Sequence, residues 1–294
     1  MDNTPETAQA QQFDDRPCAL GEGPLWHPLR EQFFWFDILG KKLCSRDGNG
    51  PRAWQFDAYV SAAGWVDSSR LLIASQSQLF LFDVDSGKQE PVVQLEADNR
   101  ITRSNDGRAD PWGGFWIGTM GINSEAAAGT IYRYYRGEVR TLFPDITIAN
   151  AICFSPDRRV AYFTDTPTRM IRRQPLAAET GWPEGPATDW LDLSAERINP
   201  DGAVVDAKGN LWNAQWGAGR VACYSPAGRF LSALALPAGQ VTCPAFGGKS
   251  GRDLLVTTAH VGLSEQARRS EPQAGTSFLF PDIAAGQLEH RVLL

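Results

Sequence analysis

The 294-residue sequence has no apolar run long enough to span a membrane, and its beginning, from Met1 to Cys18, lacks the apolar stretch of a secretory signal. Its five cysteines include no Cys-x-x-Cys pair, which argues against a zinc knuckle and against a disulfide framework. Its 28 Lys and Arg are interspersed with 34 Asp and Glu, so no basic stripe is present to bind nucleic acid. These absences predict a cytoplasmic protein that binds neither membranes nor nucleic acid.

Two common hydrolase motifs are absent as well. The sequence contains no Gly-x-Ser-x-Gly elbow and no His-Glu-x-x-His pair, and its three histidines are far apart in the chain. His27 is expected on the surface, in a hairpin turn, whereas Cys153 and Cys223 lie in strand patterns that predict inert, buried packing. No nucleophile of these kinds is therefore expected.

Aromatic and turn-forming residues are abundant, with aromatics at 11% and with 28 Gly and 19 Pro, which favours short strands over long helices. One pattern occurs six times: a small residue, a short apolar run, a turn cluster and a strongly β-prone run. The small residues are separated by 41 to 51 positions and are Gly23, Gly64, Gly107, Ala151, Gly202 and Ala245. Such a repeat predicts an all-β, six-bladed β-propeller with four antiparallel strands in each blade.

The predicted domain organisation follows from the repeat. Residues 1–12 are polar and are expected to form a disordered tail, while residues 13–294 are expected to form a single propeller domain. In a propeller, the connection into strand one and the connection between strands two and three emerge on the same mouth of the central channel. Two of the latter connections are long, Met120 to Gly129 and His260 to Gly275, and are expected to overhang that mouth.

The residue before each small residue is expected to lie where strand one enters the channel. Four of the six carry a side-chain oxygen; the full set is Glu22, Ala63, Asp106, Asn150, Asp201 and Pro244. Two carboxylates and an amide pointed at one axis would form a hard-oxygen site for one divalent cation, held by Glu22, Asn150 and Asp201. The alternative is that Asn-Asp-Gly and Pro-Asp-Gly are ordinary turn signals, which accounts for Asp201 but not for Glu22.

Five ordered motifs carry a resemblance to a known family: LGEGPLW at 20–26, SNDGR at 104–108, FTDT at 163–166, PDG at 200–202 and GNLW at 209–212. The sequence resembles the gluconolactonases and regucalcin (senescence marker protein), which are sugar-lactone lactonases, from about Cys18 to Phe280. The resemblance implies a six-bladed propeller with one divalent ion on Glu22, Asn150 and Asp201. It also implies substrate contacts at Arg103 and Asn105 and acid/base catalysis by Asp201.

The sequence departs from the family pattern at two places. Ala151 follows Asn150 where many members have glycine, which narrows the freedom of the backbone. Ile122 stands where some members have a glutamate that touches substrate, so Asn123 or Glu125 would have to supply that polar group. Stacking of a sugar ring is expected on Trp26 or Trp216.

The function predicted from these observations is metal-dependent hydrolysis of a sugar (aldono) lactone to the aldonic acid. Calcium is the first choice of cation, and zinc, manganese and magnesium stay open because oxygen ligands accept all of them. Two other functions also stay open: an organophosphate or aryl-ester hydrolase on the same scaffold, and a non-enzymatic calcium-binding regulator. The expected partner is a small-molecule sugar lactone, and the expected assembly is a monomer or a weak homo-oligomer.

Overall fold

The computed structural model describes residues 8–294, which form six antiparallel four-stranded sheets. Each sheet packs against the next around a ring, and the first sheet contacts the last. The predicted six-bladed β-propeller is confirmed. Within the described residues, no helix is long and apolar enough to cross a membrane.

The strands are numbered in chain order and begin with β1 (Gln11–Asp14). Blade 1 contains β2 (Gly21–His27), β3 (Gln32–Asp37), β4 (Lys42–Asp47) and β5 (Gly50–Gln55). Blade 2 contains β6 (Val60–Trp65), β7 (Arg70–Ser75), β8 (Gln78–Asp83) and β9 (Gln89–Gln94). Blade 3 contains β10 (Thr102–Ala109), β11 (Phe115–Gly121), β12 (Gly129–Tyr135) and β13 (Glu138–Ile146).

Blade 4 contains β14 (Ala149–Phe154), β15 (Val160–Asp165), β16 (Met170–Pro175) and β17 (Thr188–Asp192). Blade 5 contains β18 (Asn199–Val205), β19 (Leu211–Trp216), β20 (Arg220–Tyr224) and β21 (Phe230–Ala235). Blade 6 contains β22 (Val241–Gly247), β23 (Asp253–Thr258) and β24 (Ser277–Phe280), with β1 as its fourth strand. Two short helical segments lie in connections between second and third strands, a 3-10 turn at Thr166–Thr168 and helix α1 at Glu265–Ser270.

The ring is closed by the N-terminal strand. In β1, Gln11 pairs with Leu279 of β24, and Phe13 packs edge-on against Phe33 and Trp35 of blade 1. The strand therefore begins two residues before the predicted start of the domain, because its partner lies at the other end of the chain and a local polar pattern gives no sign of it. The expectation of a disordered tail over residues 1–7 lies outside the described residues.

Hydrophobic clusters fill the spaces between neighbouring blades. Between blades 1 and 2, Phe34 and Phe36 of β3 meet Leu71 and Ile73 of β7, and all four side chains are buried. Burial of such side chains stabilises the fold by about 1.5–3 kcal/mol each. Because every blade is packed on both faces, the positions of the inner strands around the channel are fixed.

Every inner strand has an irregularity in its pairing with strand two. The register shifts lie between Glu22 and Leu25, Val60 and Ala62, Ser104 and Gly107, Asn150 and Cys153, Pro200 and Ala203, and Val241 and Pro244. A β-bulge leaves a residue unpaired and redirects the neighbouring side chain. Five of the six residues predicted to point into the channel therefore lie within or at the edge of a bulge, whereas Ala63 pairs regularly with Ile73 beyond the bulge of β6.

The structure corrects one prediction about histidine and agrees with the expectation for cysteine. His27 is fully buried at the end of β2, and its ring Nε2 bonds the Asp67 carbonyl oxygen at 2.8 Å, so it is not a surface residue. The bond to the neighbouring blade explains the burial of a polar ring. All five cysteines are buried and unpaired, including Cys153 and Cys223.

Candidate active site at the mouth of the channel

A cavity of about 580 Å³ opens at one mouth of the channel. All five residues predicted for the site line it: Glu22, Arg103, Asn105, Asn150 and Asp201. Strand-one residues form the floor, and residues from connections between second and third strands, such as Ile122, Thr166 and Val261, line the same cavity. The expectation that both sets of connections share one mouth agrees with this arrangement.

Two carboxyl groups face each other on the floor of the cavity. Glu22 and Asp201 are only 3% and 6% exposed, and each carboxylate accepts the backbone N–H of the residue that follows it. Burial, followed by the charge of Asp106, raises the pKa of Glu22 to about 8. Burial and the Glu22 charge raise the pKa of Asp201 well above its usual range. In the absence of a cation, the pair therefore retains at least one proton near neutral pH.

A chain of amide hydrogen bonds adds Asn150 to this floor. Asn105 Nδ2 donates to Asn150 Oδ1 at 3.0 Å and to the Ala149 carbonyl oxygen at 2.9 Å, while Asn105 Oδ1 accepts from Arg103 Nη1 at 2.8 Å. Asn150 Nδ2 in turn donates to Thr166 Oγ1 at 2.9 Å. These contacts fix the Asn150 amide with its oxygen towards Asn105 and its nitrogen towards Thr166.

The Arg103 guanidinium supplies a buried positive charge near the two carboxyls. It is 5% exposed, and burial lowers its pKa to about 10 although Glu22 and Asp201 act in the opposite direction. Its Nε is buried without a protein hydrogen-bond partner, so a donor remains available for a bound molecule.

Asp106 lies below the floor rather than in the cavity. It is 2% exposed, its Oδ2 accepts the Ile152 backbone N–H at 2.8 Å, and burial raises its pKa to about 6. Deeper in the channel, Arg108 Nη1 donates to Glu289 Oε1 at 2.6 Å. The sequence grouped Asp106 with the ligand candidates, but the structure gives its carboxylate a backbone partner and excludes it from the cavity lining.

The donor set on the floor fits a hard divalent cation. It consists of two carboxyls and one amide oxygen, the ligand types that calcium, magnesium and manganese accept. A positive charge beside Glu22 and Asp201 would stabilise their ionised forms, because two buried like charges repel strongly. Within residues 8–294, no three His, Cys, Asp or Glu side chains are placed so that they could hold one metal ion, so a cation at this floor would take its third ligand from the amide.

The residues that line the cavity show which of the two predicted tryptophans faces it and whether a polar group replaces the one missing at Ile122. Trp216 lines the cavity, whereas Trp26 packs against Phe33 with ring centroids 4.6 Å apart and is excluded from it. Ile122 lines the cavity as an apolar residue. Neither Asn123 nor Glu125 replaces the missing polar group, because Asn123 Nδ2 donates to Glu125 Oε1 at 3.0 Å and neither residue lines the cavity.

Four polar residues of the cavity lining were not predicted from the sequence: Ser124, Thr166, Arg169 and Asn199. Thr166 belongs to the FTDT motif, so the motif contained a signal for it. Its hydroxyl donates to the Pro200 carbonyl oxygen at 2.8 Å and accepts from Asn150, which joins the ligand strands of blades 4 and 5. Arg169 and Asn199 lie outside the repeat positions that suggested the other residues.

The arrangement has a counterpart in known proteins. Residues 20–260 match the family described as SMP-30/Gluconolactonase/LRE-like region. The chain belongs to this family. Members similar to it include a candidate sugar lactone lactonase of Rhizobium meliloti (strain 1021), 42% identical over 264 residues with 88% of each chain covered. An L-arabinolactonase of Azospirillum brasilense is 35% identical over 290 residues, which cover 96% of this chain and 95% of that one.

A solved structure of the family agrees with this assignment. The crystal structure of a calcium-binding protein, regucalcin, from Agrobacterium tumefaciens str. C58 has a TM-score of 0.95 and 39% sequence identity, with 98% of both chains covered. The resemblance inferred from the five motifs is therefore confirmed at the level of the family and its fold.

Proposed function

We propose that this protein opens a sugar (aldono) lactone to the aldonic acid, with one divalent cation bound by Glu22, Asn150 and Asp201. Lactone hydrolysis as the enzyme class rests on the family and on relatives that are named lactonases. The observation that carries the rest is the pair of buried carboxyl groups of Glu22 and Asp201, which lines an open cavity together with the hydrogen-bonded amide of Asn150.

Each residue of the site has a separate role in the proposed reaction. A divalent cation on the three oxygens would polarise the lactone carbonyl and stabilise negative charge on its oxygen. Asp201 removes a proton from the attacking water, whose oxygen bonds to the carbonyl carbon as the ring carbon–oxygen bond breaks. Asp201 then returns the proton to the departing ring oxygen. Arg103 and Asn105 hold sugar hydroxyls, and Trp216 offers a stacking face.

A lactone panel with defined metals tests this proposal. Chelated protein is assayed by pH drop with glucono-, xylono- and arabinolactone, alone and after addition of calcium, zinc, manganese or magnesium. We take calcium first because the regucalcin structure is described as calcium-binding. Turnover is expected to return with metal, whereas full turnover in the chelated protein would refute the metal role.

Substitution of Asp201 tests its assigned step. Asp201→Asn keeps the shape but removes the base, so we expect turnover of every lactone to fall by about a thousandfold. Asp15→Asn, at a side chain that is 78% exposed, is the matched control and should leave turnover unchanged. Unchanged turnover in Asp201→Asn would remove this residue from catalysis.

The apolar wall favours a second candidate function. Met120, Ile122 and Ile148 line the cavity and would suit an aryl group better than a polyol. Paraoxon and phenyl acetate belong in the same panel for this reason. Hydrolysis of these compounds in preference to every sugar lactone would favour the second candidate, and binding of calcium without any turnover would favour a regulator.

We also propose a cytoplasmic, monomeric or weakly associating protein. Five buried, unpaired cysteines suit a reducing compartment, and the large exposed apolar side chains are spread over several blades rather than confined to one. Fractionation of cells and sedimentation over a range of concentrations test these two points.

A further inference from the structure

Arg169 is a second arginine in the cavity wall, and its charge is not used by the protein. Its Nε donates to Asn199 Oδ1 at 3.2 Å, and this is the only side-chain hydrogen bond that it forms within residues 8–294. The nearby Arg172 pairs with Asp189 at 3.1 Å, but Arg169 has no such carboxylate partner in the described chain. Both Nη groups are therefore free to bind a ligand.

The two cavity arginines have different surroundings. Arg103 is 5% exposed, and its Nη1 donates to Asn105 and to the Ser104 carbonyl oxygen, next to the carboxyls of the floor. Arg169 is half-buried at the wall, where nothing offsets its charge. The positive charge of Arg103 belongs to the catalytic floor, whereas that of Arg169 faces the space left for the rest of the substrate.

The position of Arg169 is fixed by its backbone. It follows the 3-10 turn at Thr166–Thr168 with a φ of 57°, its N–H donates to the Thr166 carbonyl oxygen, and its own carbonyl oxygen accepts from Leu193. A non-glycine residue in this conformation costs about 1–2 kcal/mol, so the surrounding contacts hold it in place. With Asn199 on its Nε, the guanidinium presents its outer edge as a fork that fits the oxygens of an anion.

We propose that Arg169 determines specificity for a sugar lactone that carries an anionic group, a carboxylate, sulfonate or phosphate, on a ring substituent away from the carbonyl. This inference rests on the proposed function. The lactone carbonyl has to lie at Glu22 and Asp201 on the floor, so a group that reaches the wall is at the other end of the sugar. Met120 and Ile122, which also line the cavity, are apolar and so do not compete with Arg169 for hydrogen bonds to this end of the sugar.

The test compares matched lactones and matched charge changes. Gluconolactone and its derivatives with a carboxylate, sulfonate or phosphate at carbon 6 are assayed for kcat/KM with the metal-loaded wild-type protein. The variants are Arg169→Gln and Arg169→Lys, and the control is Arg173→Gln, which removes a charge from an exposed residue outside the cavity. Thermal unfolding of each variant shows whether it is folded, and Arg169→Lys keeps the charge if the glutamine variant does not fold.

The wild-type protein is expected to prefer at least one anionic lactone over gluconolactone by about tenfold or more. Arg169→Gln should lose about 10- to 100-fold on the anionic lactone and less than about twofold on gluconolactone, with an intermediate loss in Arg169→Lys. Equal losses on both substrates, or no loss, would overturn the role of Arg169 while lactone hydrolysis stands. Failure of the wild-type protein to open any lactone would instead overturn the proposed function.

Discussion

Cation binding to the floor of the cavity should depend on pH, because the cation has to displace the proton held by Glu22 and Asp201. Burial raises the pKa of Glu22 from 4.5 to about 8, and that of Asp201 is raised as well. Between about pH 4.5 and about pH 8, the metal-free folded protein therefore holds a proton that the unfolded chain does not hold. This proton stabilises the metal-free protein fully below about pH 4.5, and the stabilisation is lost as the pH rises towards 8.

The effect of the cation should have the opposite sign. Each displaced proton weakens cation binding about tenfold per pH unit below the folded pKa, or about 1.4 kcal/mol. Between about pH 8 and about pH 5.5, the stabilisation by a fixed, saturating concentration of calcium should fall by about 3 kcal/mol. For a chain of this length, that change corresponds to about 5 °C in Tm.

Urea unfolding with and without calcium at both pH values measures this difference. Calorimetric titration in two buffers with different ionisation enthalpies adds an independent count, with at least one proton released per cation near neutral pH. Glu22→Gln, which removes one of the two carboxyls, should bind calcium more weakly and with a flatter pH dependence. Equal stabilisation at the two pH values, or binding without proton release, would show that the cation does not displace a proton from Glu22 and Asp201.

Substitutions at two kinds of contact, close backbone packing and a buried ion pair, test how the inner strands are held in place. Gly23→Ala should destabilise the protein by about 2–4 kcal/mol, because a Cβ at this φ of 51° would meet the Ser61 carbonyl oxygen at 2.2 Å. Ala151→Gly, in contrast, should change stability by less than about 1 kcal/mol. Glu289→Gln should cost about 3 kcal/mol in urea unfolding, because it leaves the buried Arg108 charge unpaired. Glu138→Gln at an exposed ion pair is the control, and an equal effect there would contradict this reasoning.

The sequence predicted the architecture well because every blade repeats the same local chemistry. A turn cluster followed by a β-prone run recurs at Phe115–Gly121 and Leu211–Trp216, and each such run is a second strand in the structure. Gln11–Asp14 shows the limit of this reasoning, since the partner of that strand is about 265 residues away and no local pattern encodes the pairing.

The site was predicted in part. Glu22, Asn150 and Asp201 share a repeat position, so their convergence followed from the symmetry of the ring. Asp106 was assigned to the same position, but its carboxylate accepts the Ile152 backbone N–H of the neighbouring blade and does not line the cavity, a difference that the repeat does not reveal. Arg169 lies in a connection rather than in the repeat, and only its contacts in three dimensions show that its charge is free.

The closure of the ring has a consequence for synthesis on the ribosome. Of the strands described, Gln11–Asp14 is translated before the others, and it pairs with Ser277–Phe280, which is translated after them. Five blades can form while the chain is still growing, but the sixth has to wait until its end has emerged. The edges of the unfinished ring are exposed throughout that interval, when pairing with another nascent chain competes with the correct partner.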